Sequence, residues 1–130
     1  MEKFSVKKSL RNKTTVIVVD DDPDMVDITV EFLEKLGIKV IGTGFDGKDA
    51  MTLFSKLHPD LVILDMKMPN YDGTYAIHNI ISQDPLAKII VLTGHADDYS
   101  FKDSEVASII RKPFNIEQLI DAINLVMEKN

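Results

Sequence analysis

The chain has 130 residues, a net charge of −6 and no cysteine. Its length suits one domain, and 45% hydrophobic with 28% charged residues is typical of a globular protein that buries a core. The absence of cysteine excludes disulfides, thiolate metal sites and a cysteine nucleophile, and it fits a cytoplasmic location. No apolar stretch is long enough to span a bilayer and no apolar h-region follows the basic N-terminus, so we expect neither a membrane segment nor a secretory signal.

Charge is distributed unevenly along the chain. Residues 1–14 hold five basic residues and one acidic residue, a net +4, so the remainder carries −10. The acidic remainder argues against nucleic-acid binding by the folded domain. A short basic terminus is typical of a solvated tail, so we predict a flexible arm over residues 1–13 and one folded domain over 14–130.

Taken in chain order, the first predicted elements are a strand and a helix. The strand runs from Thr14 to Val19, and Asp22-Pro23 then begins a helix in the expected way, with a capping Asp followed by Pro. Gly37 is a natural stop for this helix. Its apolar stripe consists of Val26, Val30 and Leu33, widened by Met25, Ile28, Phe32 and Leu36.

A second strand, Ile38 to Thr43, leads into a second helix that ends near Leu57. The glycines between them fit neither dinucleotide nor P-loop spacing, so we interpret them as turn residues. These are Gly42, Gly44 and Gly47. The second helix should direct Ala50, Phe54 and Leu57 inward.

The central strand, Leu61 to Asp65, is a continuous apolar run that stops at a carboxylate. Such a run indicates a strand buried on both faces of a parallel sheet. A turn-rich loop from Met68 to Gly73 follows. The third helix should end at Asp84-Pro85 and bury Ala76, Ile77, Ile80 and Ile81.

The last third of the chain predicts two strands and a helix. A strand from Lys88 to Leu92 precedes a polar segment, Gly94 to Ala107, in which we expect at most a short helix around Asp97 to Ser104. A short strand, Ser108 to Arg111, leads to a last helix capped by Asn115 with Gln118 as its capping-box partner. The stripe of this helix is Ile116, Leu119, Ile120, Ile123 and Met127. This alternation predicts a doubly wound α/β domain with a five-stranded parallel sheet and helices on both faces.

Polar side chains follow four of the predicted strands. They are Asp20 and Asp21, Asp65, Thr93 and Lys112. Ligands of open α/β sheets bind at this carboxyl edge. Each pair of carboxylates about 4 Å apart repels by roughly 4 kcal/mol at an effective dielectric of 20, so a cation should compensate them. Oxygen ligands without His or Cys favour Mg²⁺, with Mn²⁺ possible, over zinc.

The same edge carries the groups that a phosphoryl transfer needs. A metal-bound carboxylate can act as the nucleophile toward phosphorus and form an acyl phosphate. Such a transfer depends on positioning and on neutralising the oxygens of the phosphoryl group. With Asp65 as acceptor, the Lys112 ammonium and the Thr93 hydroxyl can each contact one of these oxygens.

These motifs resemble the response-regulator receiver domain of two-component signalling, over residues 14–128. The matching segments are Val18 to Pro23, Pro59 to Asp65, Met68-Pro69, Asp72-Gly73, Val91 to Thr93 and Lys112 to Phe114. The resemblance implies a flavodoxin-like sheet in strand order 2-1-3-4-5 and a cis Lys112–Pro113 peptide bond. It also implies that Asp65 is the phospho-acceptor and that the Mg²⁺ ligands are Asp20, Asp21, Asp65 and the Lys67 carbonyl. The implied partners are a histidine kinase or phosphotransfer protein and an output protein that the residues do not specify.

Three departures from the family pattern concern signal output. Ile109 stands where receivers usually have Tyr or Phe, Gly94 stands where Ala is frequent, and the segment between Thr93 and Lys112 is short. We therefore expect the usual coupled movement of threonine and aromatic ring to be replaced by another response.

Two other functions are compatible with parts of the pattern. Asp20-x-Asp22 is similar to the nucleophile motif of haloacid-dehalogenase-type phosphatases, but no acid follows Lys112 before Glu117. The other alternative is a receiver-shaped interaction module that takes no phosphate, which Ile109 and the short segment between Thr93 and Lys112 keep open. The receiver interpretation implies a signalling protein whose only catalysis is its own phosphorylation and dephosphorylation.

Overall fold

A computed structural model describes residues 6–7, 13–68, 71–94 and 105–128. It contains one sheet of five parallel strands in the order β2-β1-β3-β4-β5, which confirms the predicted fold and strand order. The predicted short helix between Asp97 and Ser104 lies outside the described residues, as does most of the arm. The strands are β1 (Thr15–Val19), β2 (Lys39–Gly44), β3 (Leu61–Asp65), β4 (Ile89–Thr93) and β5 (Ser108–Arg111).

The helices found in the described ranges cover both faces of the sheet. They are α1 (Pro23–Lys35), α2 (Gly47–Leu57), α3 (Gly73–Gln83) and α4 (Ile116–Glu128). Within those ranges, none of them combines the length and the apolar character that a bilayer-spanning helix requires.

The core is divided in two by the sheet, because successive side chains of a strand point to opposite faces. Leu61 and Ile63 of β3 pack into a cluster with residues of α1 and α4. Val62 and Leu64 pack into a second cluster with residues of α2 and α3. All five residues of β3 are buried, as the continuous apolar run predicts. Asp65 at the end of β3 is therefore held between two packed layers.

Local signals at the helix ends are confirmed. The Asp22 side chain accepts a hydrogen bond from the Asp24 N–H at 3.0 Å, and Gly37 has a φ of 86° after α1. Asn115 and Gln118 form the reciprocal capping box, with both side-chain-to-backbone hydrogen bonds at 2.9 Å. These caps set where each helix begins and therefore which residues reach the edge of the sheet.

Three apolar residues expected on inner helix faces are exposed, so those assignments were wrong. Ile28 is 61% exposed because it lies about 200° around α1 from buried Val26, at about 100° per residue. Ile116 is 47% exposed at the first position of α4, before Leu119 begins the buried stripe. Leu57, 38% exposed, ends α2 beside the edge strand β2, which offers little surface to cover it.

Gly44 and Gly47 are required for close packing and Gly42 lies within β2, so the assignment of the three glycines to turn geometry was wrong. Gly42 and Gly44 belong to β2, and Gly47 is the first residue of α2. Among the described residues, Gly37 is the glycine with positive φ. A Cβ added at Gly42 would meet the ends of the Leu57 and Leu53 side chains, whereas one at Gly47 would meet backbone atoms of Tyr71 and Asp72.

Val6, Lys7 and Lys13 of the basic arm are described, and the first two contact the folded domain. Val6 is 1% exposed and belongs to the core cluster of α1 and α4. The Lys7 N–H donates to the Asn124 side chain at 2.9 Å, and the Lys7 ammonium pairs with Glu128. At this point the arm lies against the C-terminal half of α4. The division of the chain at residue 13 stays a prediction.

Candidate functional site

The carboxyl edge of the sheet forms a cleft of about 530 Å³. The cleft brings together all the site residues predicted from the sequence: Asp20, Asp21, Asp65, Lys67, Thr93 and Lys112. They reach it from four strand ends, because β1, β3, β4 and β5 are adjacent and parallel. The convergence predicted from the strand ends is therefore present.

Three carboxylates that line the cleft lie close to one another. Strands β1 and β3 pair with Val19 opposite Leu64, so Asp20 and Asp65 emerge at the same level of the sheet. Both are buried, at 7% and 6% exposure, whereas Asp21 is exposed. One carboxylate oxygen from each of the three residues lies within 4.8 Å of the other two. The Asp22 N–H donates to Asp20 Oδ1 at 3.0 Å and fixes the orientation of that carboxylate.

A lysine that directly follows β5 reaches across to these acids. Lys112 Nζ lies 3.0 Å from Asp65 Oδ1 and 3.9 Å from Asp20 Oδ2. The Lys112 backbone N–H donates to the Thr93 carbonyl at 2.6 Å, which ties the end of β5 to the end of β4. The Lys112–Pro113 peptide bond is cis, as the resemblance implies. Thr93 is 1% exposed and lines the cleft beside Asp65.

Burial shifts the protonation of the two inner acids. It raises the pKa of Asp20 and the pKa of Asp65 above their ordinary values, because desolvation disfavours the charged carboxylate. The neighbouring carboxylates act in the same direction, and the Lys112 ammonium opposes them. The Lys112 ammonium therefore offsets only part of the free-energy cost of keeping two buried carboxylates charged.

The donor set fits a hard divalent cation. Three carboxylates offer oxygen ligands in a space the size of one coordination sphere, and one of them faces solvent. Few protein ligands beside an open cleft suit Mg²⁺, which keeps several waters, and suit Mn²⁺ as well. No His or Cys belongs to this group of ligands, which argues against zinc.

The raised pKa of Asp20 leads to a prediction about stability. Between the unfolded and folded pKa values the folded state holds more protons, so the stability of the metal-free domain falls as pH rises through that window. Asp20→Asn removes the free-energy cost of a buried charge at this position. The amide keeps an oxygen that can accept the hydrogen bond from the Asp22 N–H. With a chelator present at pH 7 we expect a higher melting temperature than wild type, by about 3–5 °C for each kcal/mol relieved.

Melting curves between pH 4 and pH 8 test the sign of this effect. The advantage of Asp20→Asn should shrink as pH falls toward 4, because wild-type Asp20 then becomes protonated in the folded state and no longer holds a buried charge. Asp22→Asn is the matched control, since Asp22 is exposed and Asn is also a good helix cap. A melting temperature of Asp20→Asn at or below wild type at pH 7 would contradict the prediction.

Several cleft residues were not among the site residues predicted from the sequence. Met25 and Thr74 lie in the first turns of α1 and α3, each directly after a loop at the carboxyl edge. A position in the first helical turn after such a loop could have indicated that these residues reach the cleft. From the sequence, Met25 was instead assigned to the apolar stripe of α1. The remaining additional lining residues are Asp22, Met66, Met68, Asp72 and Gly94.

Of the residues that depart from the receiver pattern, Gly94 lines the cleft, whereas Ile109 lies within β5 and does not. Ile109 pairs with Val91 in the sheet and packs, half-buried, on the core cluster of α2 and α3. Gly94 is exposed, and a Cβ added there would meet no atom of the described residues within 4 Å. Among those residues, none hinders a larger side chain at position 94.

Comparison with known proteins decides the family. The model of the response regulator receiver domain matches residues 16–124 of the chain. The chain belongs to the response regulator receiver domain family. Receiver domains are signalling modules of two-component systems, and this assignment replaces the haloacid-dehalogenase alternative. The matched segment extends from β1 into α4 and so includes every residue of the cleft.

Curated relatives of this receiver domain differ in their length. Protein CcdB of Bacillus subtilis is 34% identical over 117 residues, covering 88% of this chain and 98% of that protein. Chemotaxis protein CheY of Thermotoga maritima is 32% identical, covering 85% of this chain and 95% of CheY. Transcriptional regulatory protein PdtaR of Mycobacterium tuberculosis is 33% identical, but the receiver domain spans only 57% of its length.

Solved structures share the fold. The CheX–CheY–BeF₃–Mg²⁺ complex from Borrelia burgdorferi contains a chain that superposes with a TM-score of 0.84 at 23% identity, covering 98% of both chains. Response regulator TrrA from Thermotoga maritima, in complex with Mg²⁺–BeF, has a TM-score of 0.78 at 30% identity. That match covers 87% of this receiver domain and 98% of TrrA.

Proposed function

We propose that this receiver domain accepts a phosphoryl group on Asp65 in a reaction that needs Mg²⁺. The observation that carries the proposal is the position of Asp65: its buried carboxylate lies 3.0 Å from Lys112 Nζ and within 4.8 Å of two further carboxylates. A nucleophile and a charge that can neutralise phosphoryl oxygens are thus adjacent. The relative TrrA was solved with Mg²⁺–BeF, which supports the same chemistry.

Each residue has a role in the proposed transfer. An Asp65 oxygen attacks phosphorus in line with the leaving group, and the bond from phosphorus to the donor nitrogen of a phosphohistidine breaks as the new P–O bond forms. The electron pair leaves with the imidazole. Lys112 and Thr93 contact phosphoryl oxygens, whereas Asp20, Asp21, Asp65 and the Lys67 carbonyl hold the metal ion. When bound, Mg²⁺ neutralises negative charge that develops on the transferred group.

A histidine kinase or a phosphotransfer protein is the proposed donor, acting in the cytoplasm. The phosphorylated form is proposed to change its affinity for an output protein, since a ligand shifts a conformational equilibrium only through different affinity for the two states. The domain catalyses its own phosphorylation and dephosphorylation and is not proposed to turn over another substrate.

Intact mass spectrometry tests the function. The wild-type domain is incubated with acetyl phosphate, with Mg²⁺ or with a chelator, and the product is treated with hydroxylamine. We expect one added phosphoryl group only when Mg²⁺ is present, and its loss with hydroxylamine because an acyl phosphate is labile. A wild-type domain that takes up no phosphoryl group from acetyl phosphate or from a histidine kinase would support the alternative of a phosphate-independent interaction module.

A further inference from the structure

The loop that follows Asp65 is attached at two points by glycines. At its base the Gly73 N–H donates to the Met66 carbonyl at 3.0 Å, and a Cβ added at Gly73 would lie 2.8 Å from Met66 Cα. At its far end the Tyr71 carbonyl accepts a hydrogen bond from the Gly47 N–H at 2.5 Å. Gly47 is the first residue of α2, so this second attachment comes from an element that carries none of the site side chains.

The contact at Gly47 leaves no room for a side chain. A Cβ there would lie 2.8 Å from the Tyr71 carbonyl oxygen and closer still to that of Asp72. Both atoms belong to the backbone, so the loop itself would have to move. At Gly42, by contrast, the close neighbours of an added Cβ are the ends of the Leu57 and Leu53 side chains, which can rotate away, and Ile17 Cγ2 lies at an ordinary contact distance of 3.4 Å.

The segment before Gly47 is connected to the other side of the cleft. The Asp20 N–H donates to the Gly44 carbonyl at 3.1 Å. From there to Gly47 the chain is held by two side chains, since Asp49 accepts from the Phe45 N–H at 2.9 Å and Asp46 accepts from the Asp49 N–H at 2.8 Å. Residues 44–47 therefore link the backbone of Asp20 to the loop that carries Lys67 and Asp72.

We infer that Gly47 is a positioning residue for the metal site. The backbone contact of Gly47 with Tyr71 and Asp72 holds the loop after Asp65 at the distance from Asp20 and Asp21 that the metal ion requires. This inference rests on the proposed function, because it assigns the geometry of the same Mg²⁺ site. Gly47 touches neither the metal nor the phosphoryl group, and it acts through the loop.

The test is calorimetric titration of Mg²⁺ into wild type, Gly47→Ala and Gly42→Ala, without a phosphodonor. Substituting residues that orient metal ligands typically costs about 10–100-fold in affinity, so we expect Gly47→Ala to bind Mg²⁺ at least about 10-fold more weakly. Gly42→Ala, which adds the same methyl group beside the same helix, should bind as wild type does. Equal Mg²⁺ affinity of wild type and Gly47→Ala would overturn the inference.

Phosphorylation kinetics distinguish a specific loss of Mg²⁺ affinity in Gly47→Ala from a general disruption of the domain. The rate for Gly47→Ala with acetyl phosphate should approach that of wild type at saturating Mg²⁺, with the half-saturating concentration raised about 10-fold or more. A rate lowered by the same factor at every Mg²⁺ concentration would overturn the inference. If wild type binds Mg²⁺ but takes up no phosphoryl group, the proposed function fails while the titration still decides the role of Gly47.

Amide hydrogen exchange of wild type covers the case in which Gly47→Ala does not fold. Coupling between two sites is reciprocal, so Mg²⁺ binding should strengthen the contact that favours it. We expect exchange of the Gly47 amide to slow when Mg²⁺ is added, by more than exchange of the Gly42 amide. An unchanged Gly47 exchange rate at saturating Mg²⁺ would overturn the inference.

Discussion

Asp65→Asn is expected to take up no phosphoryl group under conditions that label the wild-type domain fully. The amide keeps the size of the carboxylate but is a poor nucleophile, so the P–O bond of the acyl phosphate cannot form. Intact mass after incubation with acetyl phosphate and Mg²⁺ measures the effect, which should be complete. Asp22→Asn is the matched control, since Asp22 lines the same cleft, and it should be labelled as wild type is.

A third variant shows which carboxylate bonds to phosphorus. Asp20→Asn keeps the proposed acceptor but loses a proposed metal ligand, so it should be labelled slowly and on Asp65. Peptide mapping after reduction of the acyl phosphate with borohydride locates the modified residue. Full labelling of Asp65→Asn would contradict the assignment of Asp65 as acceptor. A label that maps to Asp20 in the wild-type domain would contradict it as well.

Lys112→Met is expected to slow phosphorylation strongly and to destabilise the domain. The Lys112 ammonium is 3.0 Å from Asp65 and 3.9 Å from Asp20, and the methionine side chain has similar length without charge. Removing one group that stabilises developing charge typically lowers a rate by about 10²–10³-fold. We expect a loss of about 10²-fold in the rate with acetyl phosphate at saturating Mg²⁺.

The stability effect of the same variant has the opposite sign to that of Asp20→Asn. Removing one partner of a fully buried ion pair costs about 3–5 kcal/mol, but the Lys112 side chain is 33% exposed, so about 1–2 kcal/mol is expected. Denaturant unfolding in the presence of a chelator measures this loss. Lys56→Met removes the same charge from the exposed surface of α2 and should leave both stability and rate near wild type. An equal effect of the two lysine variants would contradict the role of Lys112.

Much of the site could be predicted because parallel strands place their carboxyl ends at one edge. Asp20, Asp65, Thr93 and Lys112 each follow an apolar run, and the sheet order brings those four runs side by side. Continuous burial of β3 was predictable for a related reason, since a strand covered by helices on both faces needs apolar residues at every position. The caps at Asp22 and Asn115 were equally accessible, because their hydrogen bonds join residues two or three positions apart.

Other features could not be predicted because they depend on contacts between distant segments. Apolar Ile28 and Ile116 are exposed because neither faces the sheet, and the apolar pattern of a helix alone does not define how it is rotated on its neighbours. Val6 is buried although it belongs to a basic, polar stretch, since its burial depends on the position of α4 more than 110 residues later. Pattern analysis over a short window contains no information on such a contact.

The amino-acid sequence by itself determined the strand ends, the helix caps and the set of chemical groups at the cleft. These follow from local periodicity and from the identity of the residue that ends each apolar run. The tertiary structure decided the distances within the cleft and the reason why a glycine is required at position 47. Gly47 is needed because backbone atoms of Tyr71, 24 positions later, pass too close for a side chain, and that approach exists only once α2 and the loop after β3 have packed together.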